Sequence, residues 1–282
     1  MNAKARLFLT KCKMPGAHPL IYDKVQELIA NPNVPHSRLM QILAMDPCIA
    51  AAILRHKNST LHKSKTLYGN LSQTITVLGL SQVRLLMKSI KPQEECSVSP
   101  IIKTNFDDMW RRSLAVATAA QLIDRALGGN SEEIFTAGLL HDFGRMVMLL
   151  NHEQANFNEL FMYCRANKQL LYKHERKILG FNHMELADAL FEQWNMPGIV
   201  RETATYHHTP LLAIRYQYES TVIHVADIIC SAIELGSNGD KYVPALDEKT
   251  VNTLGLKNEE LDVLCEETNL QFQQHLKDFS LK

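Results

Sequence analysis

Nowhere in the 282 residues does an apolar run approach the roughly 18 positions of a membrane-spanning helix, and the apolar stretch near the N-terminus, Leu7 to Leu9, is too short for a secretory signal. Net charge is missing too. Lys plus Arg and Asp plus Glu both number 30, so no global basic field draws in nucleic acid or anionic lipid. None of the six cysteines stands in CxxC spacing; Cys12, Cys48, Cys96, Cys164, Cys230 and Cys265 are scattered, mostly within apolar runs, and read as reduced, buried thiols. A Gly-rich phosphate loop, a GxSxG elbow and zinc-finger spacing are all lacking, which leaves nucleotide-fold and serine-hydrolase readings without support. These absences together imply a cytoplasmic protein that engages neither nucleic acid nor membrane.

What is there is a chain with 46% hydrophobic and 21% charged residues, enough for one large or two modest domains. Its apolar residues recur at helical spacing. Ile21, Val25, Leu28 and Ile29 share a face over residues 20–30, which Asn31-Pro32-Asn33 ends. Ser37 reads as the cap of a helix over 38–45, and Asp46 with Pro47 as cap and first residue of a third, running through the tight-packing CIAAAILRH. Residues 58–70 lack a period and read as a loop, beside which Arg55, Lys57, Lys63 and Lys65 offer either an anion-binding surface or a solvated one. Ser72 and Ser81 open two further helices, and the polar stretch 91–100 reads as a linker. Met109, Ser113, Val116, Ala120, Ile123 and Leu127 then alternate spacings of four and three, with Arg112 beside the stripe and Gly128-Gly129 ending it. Capping boxes follow at Asn130 with Glu133 and at Asn182 with Glu185, a buried-looking helix spans 220–235, and two last helices near 258–264 and 270–279 are expected on the outside. No stretch alternates as a strand would, so the chain is expected to be almost wholly helical.

His141 and Asp142 lie in the stretch EEIFTAGLLHDFGRMVMLL (132–150), at the end of an apolar helical run and just before Phe143-Gly144-Arg145. An imidazole beside a carboxylate is metal-ligand chemistry, but neighbours on a helix project about 100° apart, so an ion must lie in the groove between them and draw its other ligands from elsewhere. The plainer reading buries His141 and pairs Asp142 with Arg145. His183 falls in the first turn of its helix, near unpaired backbone donors that favour a neutral imidazole; His207-His208 ends a short helix over 199–206; His224 and Asp227 stand three apart on 220–235. Any one of these histidines reads as a solvated or hydrogen-bonded ring. As a set, several imidazoles with two carboxylates suit one or two divalent ions holding a water.

The order His141-Asp142, His183, His207-His208, Asp227, with the stretches LRHKNSTLH, TVLGLSQVRLL, MWRRSLAVA, AGLLHDFGR, GFNHMELADALFEQWNMP, HHTP and VIHVADIIC around it, resembles the HDOD branch of the HD superfamily of metal-dependent phosphohydrolases over roughly residues 15 to 235. The resemblance implies an all-α fold, with an N-terminal helical lobe over 1–90, the linker over 91–100, an HD-like helical bundle over 101–235 and a helical tail over 236–282. It implies a signal-transduction module, since HDOD domains are generally regarded as regulatory and without demonstrated hydrolysis. It matches His141, Asp142 and Asp227 to primary metal ligands, and His183, His207 and His208 to those of a second metal; the implied cofactor is a divalent ion, Mn, Fe, Mg, Ni or Zn. Arg145 falls where active relatives place a lysine near the substrate phosphate.

Two departures from the family matter. In MWRRSLAVA its leading ligand histidine is replaced by Arg112, which cannot ligate a cation, so the primary ion is expected to be weakly held or absent. Arg112 is expected in its place, paired with one of Asp142 and Asp227 and reaching the other. Thr209-Pro210 after His207-His208 departs from the Gly-Tyr-Pro signature of cyclic-dinucleotide phosphodiesterases, and that activity is not expected. Two functions are left. One is a non-catalytic regulatory module that meets a signalling protein or small ligand. The other is a metal-dependent phosphohydrolase acting on a phosphoester or nucleotide, with Asp142 or Asp227 orienting water and Arg112 and Arg145 holding phosphate. Arg112 favours the first.

Overall fold

Short polar side chains and glycines cut the chain into sixteen α-helices among the described residues, 2–31, 33–60, 67–93, 106–151, 157–246 and 248–280 of the computed structural model. The first six are α1 (Ala3–Leu9), α2 (Pro19–Ala30), α3 (His36–Leu43), α4 (Pro47–Thr60), α5 (Leu71–Leu78) and α6 (Leu80–Met87). Then come α7 (Phe106–Ala126), α8 (Glu132–Leu140), α9 (Phe143–Leu150), α10 (Phe157–Asn167) and α11 (Leu171–Leu179). The last are α12 (His183–Gln193), α13 (Gly198–Tyr206), α14 (Gln217–Ala232), α15 (Glu248–Leu254) and α16 (Asn258–Ser280). Among the described residues the only β pairing is an isolated parallel bridge, Ala17 with Pro92, and the expected all-α class holds. No single helix among them is long and apolar enough to cross a membrane.

The helix starts are local chemistry, and several fall elsewhere than expected. Asp46 caps α4 as read, its Oδ1 accepting the Ile49 amide at 2.7 Å, and Asn182 with Glu185 forms the expected capping box. Pro35, not Ser37, precedes α3; Asn70, not Ser72, caps α5 through the Gln73 amide; and Gly79, at φ +77°, makes the turn into α6 in place of a Ser81 cap. The Asn130 box does not form, because Asp124 reaches back from α7 to accept the Ser131 amide. Where several capping residues crowd one turn, tertiary partners choose among them. α4 continues to Thr60 into the stretch read as loop, and Lys57 is buried over the Tyr68 ring instead of solvated. Lys63 and Lys65 lie outside the described residues, as does the linker beyond Gln93; Ala17 pins its start through hydrogen bonds with Lys91 and Gln93.

α7 is the central post, buried on most of its faces between Met109 and Asp124 and packed against α8, α14 and α16. The two tail helices expected near 258–264 and 270–279 are one helix, α16, which lays Leu264 and Phe272 into the core beside α7. Trp110 of α7 ties in the N-terminal helices: its indole N–H donates to the Met45 carbonyl at 2.9 Å, and its ring stacks on His18, whose Nε2 lies 2.9 Å from Asp107.

At the stretch 132–150 the apolar helical run ends at His141-Asp142, as expected, and a second helix follows at once. The stretch forms two helices, α8 and α9, with His141 (φ −55°, ψ −41°) as the C-cap of the first and Asp142 (φ −103°, ψ 18°) as the N-cap of the second. This break turns the two side chains into a common space, which a continuous helix would not do.

Candidate metal centre

Three imidazoles of the site are fixed by their Nδ1. His141 donates from Nδ1 to the Gly138 carbonyl at 2.7 Å, and His207 from Nδ1 to the Ala204 carbonyl at 3.0 Å. His183 directs Nδ1 at Glu175 Oε2, 2.7 Å away, an oxygen that also accepts the His183 amide at 2.9 Å. All three therefore present a bare Nε2 inward, the arrangement by which a supporting carbonyl or carboxylate sets the tautomer of a ligating histidine. Around them stand Asp142 at the head of α9 and Asp227 in mid-α14.

The bare nitrogens converge on the carboxylates. Asp142 Oδ1 lies 3.2 Å from His183 Nε2 and 3.8 Å from His207 Nε2, while Asp142 Oδ2 accepts from Asn238 Nδ2 at 3.0 Å. His141 Nε2 is 3.5 Å from Asp227 Oδ1 and 3.8 Å from Asp142 Oδ2, without a hydrogen-bond partner. His183 Nε2 and His207 Nε2 stand 3.3 Å apart. Two lone pairs facing at that distance repel unless a proton or a cation lies between them. Nitrogens of His183, His207 and His208 all fall within 4.8 Å of one another, and the buried Asp142 Oδ1 beside them has no hydrogen-bond donor. This set fits a divalent ion, with the three imidazoles and Asp142 as its donors.

The expected primary position does not fit one. Arg112, buried in α7, donates from Nε (3.1 Å) and Nη2 (2.7 Å) to Asp227 Oδ1, and from Nη2 also to the Asp227 carbonyl and the Ser231 hydroxyl. The pairing with one carboxylate is as expected. The reach to Asp142 is not observed; Asn238 takes that contact, because the 236–240 turn brings its amide over the site and α7 holds the guanidinium on the Asp227 side. Arg145, expected near an incoming phosphate, is fully buried with Nη1 2.8 Å from Glu175 Oε1 and Nη2 3.8 Å from Asp240, so it braces the carboxylate behind His183.

The electrostatics follow from this packing. Burial pushes the Asp142 carboxyl up, but His183, His141, Arg145 and His207 outweigh it and hold it far below the usual carboxylate range. Burial likewise opposes ionisation of Asp227, and Arg112 with His141 overrides it. His141 is driven down by burial but ends above its ordinary value because Asp227 and Asp142 face it. Asp240 is pushed up to about 6 by burial, against Arg145. Two guanidiniums thus face four carboxylates, Asp142, Asp227, Glu175 and Asp240, a deficit of positive charge that a divalent ion would fill.

His207 is pushed down to about 3, first by burial and then by His141. Because its folded value is depressed, the unfolded chain takes the proton first, near the ordinary value of about 6.5. Stability should therefore be lost as pH falls from about 6.5 toward 3. With chelator present, the melting temperature of the wild type is expected to fall more steeply between pH 7 and 5 than that of His207→Gln, roughly one proton's worth of slope; equal slopes would mean that His207 is solvated.

Glu175, Asn238, Asp240 and Ser231 are site residues that sequence reasoning missed. Glu175 reaches His183 across the left-handed turn at Gly180, a return that nothing in the spacing announces. His224, singled out with Asp227, is a support: its Nδ1 lies 2.6 Å from the His207 carbonyl.

The family model for the HDOD domain matches residues 16–210. Among solved structures, the response regulator MmoQ of Methylococcus capsulatus is 21% identical, with 90% of this chain and 99% of that one covered at a TM-score of 0.68. A virulence factor of Campylobacter jejuni is 16% identical over 94% of this chain and 95% of its own, at 0.66, and an HDOD domain protein of Geobacter sulfurreducens is 22% identical over 94% and 87%, at 0.51. A curated but uncharacterized protein of Treponema pallidum is 20% identical over 192 residues, which are 66% of this chain and only 36% of that protein. At these identities the likeness shows the shared fold.

Proposed function

This chain belongs to the HDOD family, and on that premise we propose that it is a non-catalytic regulatory module whose HD site is a brace and a sensor of its ligands. The observation that carries this reading is Arg112 on Asp227. By the family resemblance the primary, water-activating cation takes Asp227 as a ligand, and that carboxylate's Oδ1 is already taken by a fixed positive charge. Arg145, the other cation proposed for phosphate, is neutralised by Glu175 at the back of the site. A single divalent ion on His183, His207, His208 and Asp142 would join α9, α12 and the end of α13, and when bound it supplies Lewis acidity to whatever reaches it. The partner is a signalling protein or a small ligand, in keeping with the response-regulator name of one structural relative.

Hydrolysis of p-nitrophenyl phosphate and of bis-p-nitrophenyl phosphate is expected to stay at background with manganese, magnesium or iron. Metal-dependent turnover that disappears in Asp142→Ala would favour the phosphohydrolase reading. Elemental analysis of protein loaded with manganese and freed of excess should give one ion per chain, lost in His183→Ala. Two ions per chain in the wild type would contradict the assignment of Arg112 to the primary position.

A further inference from the structure

A cavity of about 430 Å³ lies away from the histidines, where the N-terminal helices meet α9 and the end of α12. Its origin is in the small-residue run of α4. Cys48, Ala51, Ala52, Arg55 and Ser59 recur at three- and four-residue spacing on one face, and the face that larger side chains would fill is left hollow. The run expected to pack tightly thus does so through Ala50, Ile53 and Leu54, and opens on the other side.

The opposite wall is aromatic and rigid. Phe143 meets Trp194 at 5.7 Å between ring centroids, and Phe191 packs behind both. Phe143 directly follows Asp142, and Trp194 ends the helix that begins at His183, so the cavity is built on the two helices that carry the metal centre. Burial pushes the Cys48 thiol well above its ordinary range, so that wall is neutral.

One charge stands at the mouth. The exposed Arg55 guanidinium lies 5.0 Å over the Trp194 ring, which fixes its place, and no carboxylate among the described residues is within ion-pairing reach of it. Among the described residues no Asp or Glu lines the cavity, and Ser59 and Ser89 are part of its lining. An apolar chamber at the seam between two groups of helices, with a few convergent polar groups at its opening, is the common form of a small-molecule site. One arginine, with His56 next to it in the lining, against largely apolar walls suits a monocarboxylate; a nucleotide or polyphosphate would need several fixed cations or a backbone cradle.

We propose that this cavity binds a small amphipathic monocarboxylate, its apolar body against Ala51, Ala52 and Phe143 and its head on Arg55. The proposal is independent of whether the histidines hold an ion. Calorimetric titration of the full chain with octanoate tests it, with octylammonium as the control for head charge. Octanoate is expected to saturate with a Kd on the order of 0.1–1 mM, and octylammonium is expected not to. Arg55→Gln, at an exposed position, should weaken octanoate about tenfold in protein that melting shows to be still folded. Ala52→Leu, which fills the chamber, should abolish saturable binding, with folding checked by melting. Trp194 emission should shift on binding. No saturable octanoate binding to the wild type, equal binding of octylammonium, or wild-type affinity in either folded variant would each overturn the assignment.

Discussion

Arg112→Ala is expected to cost roughly 3 to 5 kcal/mol of stability in metal-free protein, several times the effect of removing a surface arginine. The reason is what stays behind. Asp227, 3% exposed, would lose the donors on its Oδ1 and remain a buried carboxylate beside Asp142, while the Ser231 hydroxyl and the Asp227 carbonyl would lose the guanidinium and keep their bond to each other, at 3.0 Å. Arg112→His should behave differently. A neutral imidazole there can ligate, and with His141 Nε2, Asp142 and the freed Asp227 it completes a second set of donors. Manganese should then bind at two ions per chain and raise the melting temperature, by the equivalent of about 2.7 kcal/mol at a hundredfold excess over Kd. Thermal melts of wild type, Arg112→Ala and Arg112→His, each with chelator and with manganese, read both effects. An Arg112→Ala protein that melts within about 0.5 kcal/mol of wild type would show that the guanidinium is not a structural cation.

Gly144→Ala should be comparably damaging, for a steric reason. A Cβ at this position would stand 2.1 Å from the His183 carbonyl oxygen and 3.0 Å from the Ala187 amide nitrogen, both backbone atoms of α12. Neither can swing away as a side chain would, so α9 and α12 must part. We expect a loss of roughly 3 kcal/mol or more, at the upper end for overpacking. The same displacement pulls Asp142 from His183, 3.2 Å apart across this contact, so metal affinity should fall with stability. Gly79→Ala is the control: its φ of +77° strains an alanine, but nothing lies within 4 Å of the new atom, and the cost should be only about 1 to 2 kcal/mol. Urea denaturation and manganese titration of the two variants separate the cases. Equal losses would point to backbone strain at Gly144, with close packing of α9 on α12 playing no part.

The helical class, the span of most helices and the histidines that converge were legible in the chain because they rest on local quantities or on order: the 3.6-residue recurrence of apolar side chains, the caps at Asp46 and Asn182, and imidazoles and carboxylates in the sequence of a known family. The replacement at Arg112 was equally visible, and its chemistry alone settles that it cannot hold a metal. Tertiary structure decided the rest. The stretch 132–150 has no proline or glycine between its two helices to fix the angle at which they part, and how far His141 and Asp142 converge depends on α7 packing on α8 and α12 on α9. Whether Arg112 touches Asp142 or Asp227, and whether Arg145 meets a ligand or Glu175, depends on distances between residues more than 100 positions apart in the first case and 30 in the second. Those distances are set by how helices pack, and no property of the individual residues encodes them.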